Sequence, residues 1–118
     1  MPDNFVLSPT IWNRLRKDIK GTHLIWLIDL FIKELPNYLM ELEKALASGD
    51  GEQLYLTAHK FKGASSNMGA VKLVELCQQL ETLGRARNMQ QAEVVVKEEI
   101  LRESERLKEM LEQEKQNI

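Results

Sequence analysis

The sequence predicts an all-α protein: an antiparallel up-down-up-down four-helix bundle with a short additional N-terminal helix. Three observations carry this. Apolar residues recur at steps of three and four along most of the chain, and β-branched residues nowhere alternate for long. Glycine and proline are scarce, six and three in 118 residues, so long helices meet few interruptions. The stretches between the periodic segments are short, which makes consecutive helices antiparallel neighbours.

The first helix is read at 8–19, "SPTIWNRLRKDI", with Ser8 as N-cap and Pro9 at the first helical position. Its apolar residues Ile11, Trp12, Leu15 and Ile19 share one side, so it is expected to lie across the end of the bundle. The second, at 22–48, carries Leu24, Leu27, Ile28, Phe31, Leu35, Leu39, Leu42 and Leu46 in one stripe. Pro36 falls inside it and should kink it, but the apolar register continues unchanged, so the helix is kept whole. "SGD" at 48–50 supplies a Gly49 stop and an Asp50 cap, with Gln53 placed to complete a capping box. The third helix runs from 51 to 67 and ends near Gly69; the fourth, 70–86, aligns Leu73, Leu76, Cys77, Leu80 and Leu83. Asn88 with Gln91 opens a long fifth helix that buries Ala92, Val96, Ile100, Leu107 and Leu111, and its end "EQEKQNI" is expected to fray. Trp12, Trp26, Phe31 and Phe61 are the candidates for the large pieces of a mostly leucine core.

Length supports a single domain over residues 1–118, and 43% hydrophobic with 29% charged residues is the balance of a soluble globular chain. The lone Cys77 rules out an intrachain disulfide and suits a reducing cytoplasm, and no signal-peptide pattern opens the chain. The most apolar window, 23–32, is too short to span a bilayer and contains Asp29, so no membrane partner is expected. A formal net charge of −2 argues against nucleic acid, whose phosphates require a basic surface. The charge is uneven: residues 51–90 hold five Lys/Arg against three acids, and 91–118 hold five against eight. A mildly basic middle suits an acidic protein partner.

That middle contains "TAHKFKGASSNMGA", residues 57–70, a helix with a glycine inside it and little bulk. Counting about 100° per residue from Leu54, the core side holds Leu54, Ala58, Phe61, Ser65 and Met68. His59 falls at about 140°, Lys62 at about 80°, Ser66 at about 120°, Gly63 at about 180° and Leu56 at about 200°. A lone solvent-facing histidine most often does nothing. Here it stands with a lysine one turn on and a face stripped of side chains, which lets another protein come within bonding distance. A neutral imidazole is a usable nucleophile, and the lysine ammonium can offset phosphate charge.

Residues His59-Lys60-Phe61-Lys62-Gly63-Ala64-Ser65-Ser66-Asn67-Met68-Gly69-Ala70 resemble the signature of the histidine-containing phosphotransfer (HPt) domain family: His, two residues, Lys-Gly, five residues, Gly-Ala. The resemblance extends from "FVLSPTIWNRL" to "LCQQLETLGR", nearly the whole chain, and the five-helix plan matches that family's fold. It implies that His59 is the phosphoacceptor through Nε2, that Lys62 stabilises the phosphoryl group, and that Gly63 leaves room for the partner, with Ser66 bordering the site. Lys60 beside the histidine would complement an acidic partner, and Leu56 would join an apolar docking patch. Some members orient the histidine with a glutamine from the next helix. The corresponding residue here is Glu81, with Gln78 one turn before; which of the two reaches the imidazole is left open, and neither is expected to be essential.

The resemblance further implies a cytoplasmic, monomeric phosphorelay carrier in two-component signalling. It would exchange a phosphoryl group between His59 and the aspartate of receiver domains, in response regulators or hybrid histidine kinases. The carrier would have no cofactor of its own, Mg²⁺ and an acidic pocket being expected on the receiver. Met1 and the compact length are more in keeping with a free-standing carrier than with a piece of a hybrid kinase, a choice the sequence leaves open. It would not be a kinase: Gly63 to Gly69 followed by "AVK" misses the phosphate-loop spacing, and no strand precedes it. A di-metal bundle needs Glu-x-x-His pairs, and neither His23 nor His59 has a glutamate three residues before it. His23 is read as a solvated residue at a helix start. The rival reading is a helical adaptor that binds by shape and carries no phosphate.

Overall fold

The computed structural model describes residues 6–118. Residues 1–5, with Phe5 of the stretch "FVLSPTIWNRL", lie outside the described residues. Helix α1 (Pro9–Asp18) starts as its capping residues dictate: the Ser8 side chain accepts from the Ile11 N–H at 3.3 Å and Pro9 sits at the first position. The Ser8 N–H donates to the Gly69 carbonyl at 2.7 Å, tying α1 to the far end of the third helix. Gly69 takes φ 77, and a Cβ there would stand 2.9 Å from Ile11 Cγ2, so this junction requires glycine twice over.

Helix α2 (Gly21–Ser48) is continuous through Pro36, which faces solvent, and ends at Gly49 in the left-handed region. Helix α3 (Gly51–Asn67) is capped by Asp50, whose carboxylate accepts from the Gln53 N–H at 3.0 Å. The reciprocal half of the expected box is not made: Gln53 Nε2 donates instead to Thr57 Oγ1 at 3.3 Å. Helix α4 (Val71–Arg85) follows a tight turn. The last helix, α5, comprises an α segment Met89–Val94, a π-helical segment Val95–Ile100 and an α segment Leu101–Gln116. Asn88 caps it through the Gln91 N–H, as the sequence predicts.

Consecutive helices α2, α3, α4 and α5 are neighbours, and α5 closes back on α2, so the four enclose one core with α1 laid across α2. Leu24, Ile28, Leu42, Leu54, Phe61, Leu73, Leu80, Ile100, Leu107 and Leu111 are essentially inaccessible. Trp12 and Phe31 join them, but Trp26 does not: it is 56% exposed and stacks on His23. Its position explains this, since it lies about 200° round the helix from inward-facing Leu24. The π-helical segment was not anticipated. Ala92, Val96, Ile100 and Ser104, all buried, are spaced by four, and in an α-helix each such step overshoots one turn by about 40°. The wider π turn absorbs the overshoot and keeps Val95, Val96 and Ile100 facing the core.

The expected fraying of "EQEKQNI" is also corrected. The helix persists to Gln116 because tertiary bonds hold it: Trp12 Nε1 donates to Glu114 Oε1 at 2.9 Å, Arg16 to the Asn117 carbonyl at 3.1 Å, and Lys115 pairs with Asp29 at 2.6 Å.

One contact sets the geometry of the α3–α4 pair. A Cβ on Gly84 would lie 2.8 Å from the Gly51 carbonyl oxygen and 3.1 Å from the Tyr55 nitrogen, so backbone meets backbone where α3 begins and α4 ends. Gly84→Ala is therefore expected to lower unfolding free energy by about 1–2 kcal/mol despite alanine's better helix propensity, because neither neighbour is a movable side-chain tip. Denaturant titration checks this; a gain in stability would show that the helices have slack.

Candidate functional site

The α3 helix turns Leu54, Thr57, Ala58, Phe61 and Ser65 into the core, which by geometry turns Leu56, His59, Lys60, Gly63 and Ser66 outward. Thr57 is a core position that the stripe had not included. His59 has 60% of its side chain exposed. Its Nδ1 lies 2.7 Å from Glu81 Oε2 on α4, and Lys62 Nζ lies 2.7 Å from Glu81 Oε1. One carboxylate, only 12% exposed, thus joins the two residues the sequence singled out. Glu81 reaches the imidazole; Gln78, exposed one turn earlier, makes no bond to it.

The charge state of Glu81 determines the tautomer. Burial pushes its carboxyl pKa up, but the hydrogen bonds from Lys62 and His59, together with their charges, outweigh burial and hold it below its ordinary value. An ionised carboxylate only accepts, so Nδ1 carries the proton and donates it. In the neutral ring the lone pair then belongs to Nε2. Tyr55, one turn before His59, stacks on the imidazole with ring centroids 5.9 Å apart.

Gly63 adds nothing to this face: a Cβ built there meets no atom within 4 Å, so the space beside the imidazole is open. Ser66 borders it, exposed, and Leu56 is 47% exposed. Lys60 stands apart from the expected arrangement. It leans toward α2, where its Nζ lies 3.7 Å from Glu41, because it sits about 100° round the helix from His59. Cys77 is wholly buried, and burial, aided by the Glu81 charge and only partly opposed by Lys62, pushes its thiol up to about 12. It is therefore no competing nucleophile at neutral pH.

Comparison with known proteins bears directly on this arrangement. The family model for the Hpt domain matches residues 27–117. The chain belongs to the Hpt domain family. The crystal structure of histidine-containing phosphotransfer protein B (HptB) from Pseudomonas aeruginosa PAO1 is similar at 34% identity, with a TM-score of 0.88 and 96% of each chain covered. No curated protein matches the sequence. The protein is accordingly a histidine phosphotransfer carrier of phosphorelay signalling, built on the helical bundle of its family, and the family's partners are receiver domains. Membership replaces the adaptor reading. No helix among the described residues is long and apolar enough to cross a membrane, and none of their His, Cys, Asp and Glu side chains group in threes to hold a metal ion.

Within this Hpt domain, Glu81 is the carboxylate that meets both His59 and Lys62, where the sequence left the choice between it and Gln78 open. It lies 22 residues from His59, and the only signal for it was its spacing from the motif. Because its folded pKa is depressed, the bond network adds stability above the ordinary value near 4.5 and loses that stability as pH falls through the lower folded value. Glu81→Gln should flatten the acid limb of the stability curve in that window, measured by thermal melts from pH 6 down to about pH 2.5. An acid limb identical to the wild type would place Glu81 outside the network.

Proposed function

We propose that His59 is the phosphoacceptor of this Hpt domain and that Nε2 is the reacting atom. The observation that carries the reading is the bond from His59 Nδ1 to Glu81, which leaves the lone pair on Nε2, while Gly63 one turn on presents open space. In the forward step that lone pair attacks the phosphorus of a receiver's aspartyl phosphate. The Nε2–P bond forms, the P–O bond to the aspartate breaks, and the aspartate leaves as a carboxylate. The imidazole, still protonated at Nδ1, becomes a cation whose charge Glu81 meets. Return transfer runs through the same positions in reverse.

Lys62 supplies the other charge. At rest it is balanced by Glu81, and once the phosphoryl is present it serves as the counter-charge on this side of the partner interface. The acidic pocket and Mg²⁺ belong to the receiver, so the carrier works with no cofactor and no nucleotide site of its own. Docking uses the bare face of Gly63 and Ser66 and the exposed Leu56. Lys60, at the edge of this face, adds to its attraction for an acidic partner. The carrier acts as a cytoplasmic monomer.

Incubation with a phosphorylated receiver domain tests the assignment: wild type should take up an acid-labile, base-stable label, and His59→Gln should take up none. A labelled His59→Gln would defeat it. Gly63 gives a second test with opposite signs. Gly63→Gln should raise helix stability by up to about 1 kcal/mol, since the side chain enters open space, while cutting receiver binding and transfer at least about tenfold. Unchanged receiver affinity, measured by titration, would show that the open face is irrelevant.

A further inference from the structure

The bond to Glu81 fixes one atom of the imidazole. A ring held at a single nitrogen still swings about that bond, and His59 is 60% exposed, so little bulk surrounds it. Transfer needs the Nε2 lone pair aligned with an incoming phosphorus, and loose alignment is costly in rate. Something else must restrain the ring.

Tyr55 meets the requirement. It lies four residues before His59 on α3, on the same face, and the two rings are nearly parallel, with centroids 5.9 Å apart and an interplanar angle of 14°. On Tyr55 rests the guanidinium of Arg85, its Cζ 4.2 Å from the ring centroid, a cation–π distance. Arg85 follows Glu81 by one turn of α4, just as His59 follows Tyr55 by one turn of α3. Two helices therefore meet in two rungs, Glu81 on His59 and Arg85 on Tyr55. The rungs register because Gly51 and Gly84 let the backbones touch beside them.

We infer that Tyr55, backed by Arg85, is a positioning residue that holds the plane of the His59 imidazole for phosphoryl transfer. The inference rests on His59 being the phosphoacceptor. Tyr55 touches no reacting atom; it acts through the ring it stacks on. The ring face does this, so the tyrosine hydroxyl is dispensable.

The experiment combines transfer kinetics with ¹⁵N NMR of the His59 ring in the intact protein. Tyr55→Leu should lower the single-turnover rate from a phosphorylated receiver by about 3- to 10-fold, while moving the two ring ¹⁵N shifts toward the averaged values of a mobile histidine. Tyr55→Phe should restore both. Arg85→Gln, a change at an exposed residue, should move both readouts part of the way, and it carries the test if Tyr55→Leu fails to fold. Wild-type rate in Tyr55→Leu, or slowed transfer with unmoved ring shifts, overturns the inference, as does Tyr55→Phe as slow as Tyr55→Leu. A His59→Gln variant that still accepts label defeats the phosphoacceptor reading itself. An unlabelled His59→Gln beside a Tyr55→Leu that behaves as wild type defeats the positioning role alone.

Discussion

The double hydrogen bond of Glu81 is the interaction on which the rest of the site depends. Without it His59 and Lys62 are two solvent-facing side chains on one helix, with no preferred tautomer and no shared charge. With it, the proton is held on Nδ1, the lone pair is assigned to Nε2, and the lysine is parked one turn away. The bond in turn needs α4 at a particular distance and rotation from α3. That is supplied by backbone contact at Gly51 and Gly84 and by the core that buries Leu73, Leu76, Cys77 and Leu80 of α4 together with Leu54, Ala58 and Phe61 of α3. Core packing and the chemistry of the exposed face are one arrangement seen from two sides.

The face itself is shaped by what it lacks. Glycine in a helix interior sacrifices stability, and nothing in the fold asks for it at position 63, where a side chain would stand in open space. Gly51, Gly69 and Gly84 differ: each is required by a close approach inside the molecule. Sorting these four glycines by their surroundings sets Gly63 apart as the one that no internal contact requires. The same division applies to the lysines. Lys62 turns into the Glu81 network and Lys60 turns away to Glu41, although only one residue, Phe61, lies between them.

Much of this was legible along the chain. Ser8 with Pro9, Gly49 with Asp50, and Asn88 with Gln91 are local signals, each settled within one turn, and the helices begin and end where they point. The readings that needed correction have different causes. The last residues of α5 are ordered by Trp12, Arg16 and Asp29, from helices far away in sequence. The side chain of Gln53 bonds Thr57 rather than closing its box. The outward place of Trp26 followed from the register of α2, and its size alone suggested a core role.

The sequence by itself determined the all-helical class, the helix order, the side of α3 that faces solvent, and the motif that marks His59, Lys62 and Gly63. Periodicity and capping are properties of neighbouring residues, so a linear string contains them. Only the tertiary structure decided that Glu81 rather than Gln78 meets the imidazole, that Tyr55 and Arg85 stack behind it, and that α5 takes a π turn. Those outcomes depend on the relative rotation and separation of packed helices, where a few tenths of an ångström between two glycines determine which side chain of α4 arrives at which side chain of α3.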